Sequence, residues 1–135
     1  MKERIIRRLM EVLPAKKIVV VGSCALKKYG LIDKADDIDM VIVGPTKVAD
    51  RKIVELVSKF PRKKEKYRSY ITGPDASLDI SGVKVDIWFK DDYESLEIEG
   101  IHYGYITDII GEKVAYDRDK DWDVINKIRS LFPER

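Results

Sequence analysis

Two aspartates stand at the mouth of an apolar strand. Residues 19–44 read VVVGSCALKKYGLIDKADDIDMVIVG, and Asp37 and Asp39 flank Ile38 just before the run MVIV. A strand that enters a core should avoid carboxylates, because a buried charge without compensation is costly. Residues two apart in a strand face the same way, so these two side chains project together. The preceding apolar run ends in Gly22-Ser23. Any fold that accommodates this stretch must bring a glycine turn and a carboxylate pair to one open end of a sheet.

The rest of the chain supplies the elements around that end. Ile5, Ile6, Leu9, Met10 and Leu13 recur at helical spacing, which predicts a helix over residues 2–13 closed by Pro14. KIVVV at 17–21 reads as a buried strand, and Ser23 reads as the N-cap of a short helix to Tyr29, with Gly30 just past its end. Residues 39–43 form the second predicted strand. Thr46 would cap a third helix whose face carries Ile53, Leu56, Val57 and Phe60. Beyond it come predicted strands at 67–72, 77–81, 83–89, 96–98 and 101–106, with turns at Ser81-Gly82 and Glu99-Gly100. Thr107 would cap a helix to about Tyr116, and a last helix from Asp119 or Lys120 carries Val124, Ile125, Ile128 and Leu131. Mixed helices and strands with a mostly antiparallel later half define an α+β class, and 135 residues without a linker or repeat predict one domain over 1–135.

Composition removes several alternatives. An apolar content of 44% supports a packed core, and no apolar run approaches the length of a membrane span. The N-terminal stretch carries charges among its apolar positions and does not read as a signal peptide. With a single cysteine and no export signal, the expected compartment is the cytoplasm. The net charge is +2 although 37% of residues are charged. There is no Gln and one Asn, a balance similar to that of thermophile proteins rich in ion pairs. The basic stretch KFPRKKEKYR, from Lys59 to Arg68, reads as a solvated surface or as a patch that steers RNA or another polyanion.

The third carboxylate of interest is Asp86. In VKVDIWF it lies on the polar face of an alternating strand. Neighbouring carboxylates repel, and a divalent cation resolves that conflict. Mg²⁺ takes oxygen ligands and is typically held by one or two carboxylates plus substrate phosphates. Gly22 would let a phosphate approach the backbone at a helix N-terminus, and the Ser23 hydroxyl would add a hydrogen bond. Taken singly, each feature has an ordinary reading as a turn, a cap or an exposed strand residue; their combination in this order points to a nucleotide-type metal site. His102, the only histidine, reads as packed or solvent-facing, Cys24 as a small residue filling a tight turn, and Trp88 as core cover.

The order hydrophobic-Gly-Ser, thirteen residues, then Asp-hydrophobic-Asp resembles the first motif of the nucleotidyltransferase superfamily, whose palm is shared with DNA polymerase β. Asp86 stands where that superfamily carries its third carboxylate. GSCALKKYGL is similar to small members of the abortive-infection, toxin–antitoxin type. The resemblance implies a twisted, mostly antiparallel sheet packed by helices on one side. It implies transfer of a nucleoside monophosphate from an NTP such as ATP to a hydroxyl of RNA, protein or a small molecule. Asp37, Asp39 and Asp86 would be the catalytic, metal-holding set for Mg²⁺ or Mn²⁺, and Gly22, Ser23 and Lys113 would bind the nucleotide. Arg118, Lys120, Asp121 and Asp123 are counterparts of a charged tail found in such proteins. The resemblance also leaves a second reading: a non-catalytic, antitoxin-like binding module acting with a helical partner protein, or a homodimer.

Overall fold

The computed structural model describes residues 1–13, 15–44, 51–52, 55–56, 58–60 and 74–131. Helix α1 (Lys2–Val12) leads into β1 (Lys17–Val21), α2 (Gly22–Lys28) and β2 (Ile38–Val43). After residues 51–60, whose described members are helical up to 59, come β3 (Ala76–Ile80), β4 (Val83–Lys90), β5 (Ser95–Ile98) and β6 (Ile101–Gly104). Helices α3 (Ile106–Tyr116) and α4 (Asp119–Leu131) complete the described chain. The predicted strand at 67–72, the predicted cap Thr46, the helix-ending Pro14, Ile53 and Val57 of the third predicted helix, and residues 61–68 of the basic stretch lie outside the described residues.

The six strands form one mixed sheet in the order β3-β4-β2-β1-β6-β5. Sequence neighbours β1–β2, β3–β4 and β5–β6 pair antiparallel. The pairs β2–β4 and β1–β6 are parallel and join the hairpins into one sheet. Both predicted tight turns form. Ser81-Gly82 takes φ of 53° and 82°, Glu99-Gly100 takes 53° and 83°, and two left-handed residues in succession suit a two-residue hairpin loop.

Alternation along the strands separates two faces. Val20, Met40, Ile42, Val85, Ile87 and Leu78 are buried on one of them. They share a continuous core with Ile5, Ile6 and Leu9 of α1 and Ala25 and Leu26 of α2. That apolar face gives the sheet its seat, and burial of such side chains stabilises by about 1.5–3 kcal/mol each. The opposite face carries the carboxylates.

Three local expectations are corrected. Ser23 is not an N-cap: α2 starts at Gly22, two residues earlier than that cap would set it, with Val21 in the cap position and no side-chain cap bond. Gly22, at φ 64°, turns the chain straight from strand into helix, so no capping side chain is needed there. Thr107 does not cap α3 either, because the helix starts at Ile106 with Tyr105 before it. That start places Ile106, Ile109 and Ile110 together against the core. Phe60, predicted on a buried helical face, is 38% exposed, while Leu56 on the same segment is buried.

Candidate active site

The site grows from a single row of residues across four strands. In the register of the sheet, Ser77 of β3 faces Asp86 of β4, Asp86 faces Asp39 of β2, and Asp39 faces Val21 of β1. Paired residues of adjacent strands share a face, so Asp39 and Asp86 are direct neighbours on it. β2 and β4 are far apart in sequence, and their parallel pairing makes the carboxylate pair.

Gly22 closes the other side. A Cβ at this position would collide with Asp39 Oδ2, and Asp39 Cγ would lie only 3.2 Å from it. The positive φ and this close approach together reserve the position for glycine. The backbone turn therefore rests directly against a carboxylate.

Asp86 is one of two charged residues in the buried class among the described residues, at 7% exposure; Asp121 is the other, at 1%. The Ser77 hydroxyl donates to Asp86 Oδ1 at 2.6 Å, a short hydroxyl–carboxyl hydrogen bond. Asp39 is half-buried by surface area, with its carboxyl enclosed by protein. That burial pushes its pKa up to about 7, and the charges of Asp86 and then Asp37 push in the same direction. The cations of Lys113 and Arg118 oppose the shift.

Asp37 sits at the bend before β2. Its charge is felt at Asp39, yet no three of the described His, Cys, Asp and Glu side chains converge closely enough to enclose an ion. The structure thus brings Asp39 and Asp86 together and leaves Asp37 as a neighbour of the pair. Ser23 works inside the chain. Its hydroxyl accepts from the Asp36 N–H at 3.2 Å and donates to the Asp37 carbonyl at 3.3 Å, tying the loop ahead of β2 to α2. Cys24 Sγ reaches the same carbonyl at 3.3 Å. Burial, followed by the charge of Asp39, raises its thiol pKa to about 11, which fits a packed residue rather than a reactive one.

Lys113 lies on α3 with 14% side-chain exposure, and its Nζ is 3.4 Å from Asp121 Oδ1. Arg118 grips the same carboxylate with Nε at 2.5 Å from Oδ2 and a terminal nitrogen at 3.1 Å from Oδ1. Burial alone would raise the Asp121 pKa; the bonds and charges of Arg118 and Lys113 outweigh it and bring it below the usual carboxylate value. Asp123 and Lys120 are exposed. His102 pairs with Ser95 at 3.0 Å on the β5–β6 hairpin.

The sequence reading singled out neither Ser77 nor the Asp121 anchor as part of the site. A signal for Ser77 was present: counting back through the two-residue turn at Ser81-Gly82 places it opposite Asp86.

A family model for a nucleotidyltransferase domain matches residues 2–116. The chain belongs to that family and is a nucleotidyltransferase, an enzyme of the class that transfers nucleoside monophosphates. Among solved structures, a candidate nucleotidyltransferase from Thermotoga maritima is similar in fold, with a TM-score of 0.58 at 20% identity over 96% of this chain and 93% of that one. No curated protein is significantly similar to the chain in sequence. No helix among the described residues is long and apolar enough to cross a membrane.

Proposed function

We propose that the chain transfers a nucleoside monophosphate from an NTP to a hydroxyl acceptor in a reaction that depends on Mg²⁺ or Mn²⁺ and releases pyrophosphate. The observation that carries this reading is the pairing of Asp39 with Asp86 beside a turn where only glycine fits. The donors suit a hard cation: all are carboxylate oxygens, and the pKa of Asp39, raised first by burial and then by the charges of Asp86 and Asp37, marks a carboxyl that a cation would relieve. Asp39 and Asp86 would hold the ion, with Asp37 at the bend before β2 adding its negative charge from beside the pair. When bound, the ion neutralises the triphosphate and makes the acceptor hydroxyl easier to deprotonate.

The residues of the chain do the positioning. Asp86 stands ready to take the acceptor proton. Gly22 lets the β- and γ-phosphates come up to the main chain. For Ser23 to donate to a phosphate oxygen, its proton must leave the Asp37 carbonyl, and the bond it gives up is a long one. Lys113 offers a fixed positive charge to the phosphates. Catalysis of this kind rests on orientation and charge compensation.

The test is transfer of label from each α-labelled NTP, with Mg²⁺ or Mn²⁺, to RNAs, proteins and small-molecule alcohols offered in parallel. Transfer that falls by about a hundredfold or more in Asp39→Asn supports the reading. Transfer indifferent to that change, or no transfer to any acceptor with either ion, counts against it.

A further inference from the structure

The Ser77–Asp86 bond is built by the fold rather than left to chance. The Ser81-Gly82 turn fixes the register of β3 on β4 as Ile80 with Val83, Asp79 with Lys84, Leu78 with Val85 and Ser77 with Asp86. Asp79 Oδ1 accepts the Gly82 N–H at 2.9 Å and locks the turn. A slip of one residue would carry Ser77 to the apolar face, where Leu78 is fully buried, so the register is strongly held. The hydroxyl thus always arrives opposite the carboxylate.

We infer that Ser77 is a positioning residue of the reaction centre, whose hydroxyl holds the plane of the Asp86 carboxylate in the orientation the transfer needs. The inference rests on the function proposed above and deepens it. A carboxylate tied at one oxygen cannot rotate about its Cβ–Cγ bond without losing that tie. Asp86 is buried and lies directly beside Asp39, so a rotated carboxylate would change how the pair meets a cation and where a proton is taken up. Preorganisation of this kind is felt in the chemical step more than in substrate binding, since the hydroxyl itself is asked to touch neither nucleotide nor acceptor.

Ser77→Ala and Ser77→Thr separate this role from a merely structural one. Threonine keeps the hydroxyl and suits a strand. We expect kcat to fall roughly tenfold in S77A with KM for the NTP nearly unchanged, the size expected for a lost hydrogen bond to a charged group. Mn²⁺ affinity of the nucleotide-free protein, measured by calorimetry, should weaken several-fold in S77A, and S77T should restore both quantities. Asp86→Asn, run beside them, distinguishes the two ways of failing. If D86N abolishes transfer while S77A keeps wild-type kcat and Mn²⁺ affinity, this inference alone is overturned. If D86N leaves transfer and Mn²⁺ affinity intact, the reading of the site falls and takes the inference with it. A loss in S77A that appears only as lower thermal stability, or one that S77T does not rescue, also overturns it.

Discussion

Gly22 shows how much one missing side chain can decide. Its φ of 64° is a conformation that costs an L-residue roughly 1–2 kcal/mol, and its neighbour Asp39 fills the space a Cβ would need. Gly22→Ala should therefore do two things at once. It should destabilise the fold by about 2–3 kcal/mol, backbone strain plus a displaced carboxylate, read as a shifted denaturation midpoint. It should also reduce transfer more than that stability loss explains, because the carboxylate it displaces belongs to the pair proposed to hold the ion. Gly30 gives the contrast. It has a similar φ of 78° but nothing within reach of a Cβ, so Gly30→Ala should show only the backbone cost, about 1 kcal/mol. Equal effects at the two positions would mean that the contact with Asp39 is of no consequence.

At the scale of elements, the strands and hairpins were the most legible part of the chain. β1 was predicted to the residue, and the turns at Ser81-Gly82 and Glu99-Gly100 follow from two-residue gaps between alternating runs. Caps were less legible, because Ser23 and Thr107 look like caps in one dimension while Gly22 and the buried isoleucines of α3 set the true starts. The parallel pairings β2–β4 and β1–β6 could not be read from local pattern: only the family resemblance brought Asp86 to Asp39, and nothing local gives the register in which they meet. The tail was legible as charges but not as an anchor. There, Asp121 at 1% exposure ties α3 to α4 through Lys113 and Arg118. Asp121→Asn leaves two cations facing a neutral group, so it should cost about 3 kcal/mol and loosen the α3–α4 contact. Hydrogen exchange that rises in α3 and α4 while the β2–β4 core stays protected would bear this out; uniform exchange through the chain would not.

For the molecule as a whole, the carboxylate pair makes stability depend on pH in a sense opposite to that of an ordinary ion-paired protein. The Asp39 carboxyl is raised to about 7 in the fold, whereas in an unfolded chain it titrates in the usual carboxylate range. Between those values the native state holds a proton that the unfolded chain has already released. The advantage is full at low pH and is lost as pH rises through about 7. Glu112, raised by burial against the bond from Tyr93, contributes with the same sign. Asp121 has the opposite sign: its lowered pKa stabilises above the usual carboxylate range, and that part is lost only on acidification below it. From pH 5.5 to 8.5 the metal-free protein should therefore lose several degrees of Tm. A cation at the proposed site would compete with the Asp39 proton, so its affinity should rise over the same interval. At a hundred times its Kd, Mg²⁺ should add about 2.7 kcal/mol of stability at pH 8.5, with far less gained from the same concentration at pH 5.5. Asp39→Asn removes the titrating group and keeps the shape, so the slope and the Mg²⁺ response should shrink together, leaving the part that belongs to Glu112. A slope that survives unchanged in that variant would move the proton, and the proposed ion with it, away from Asp39.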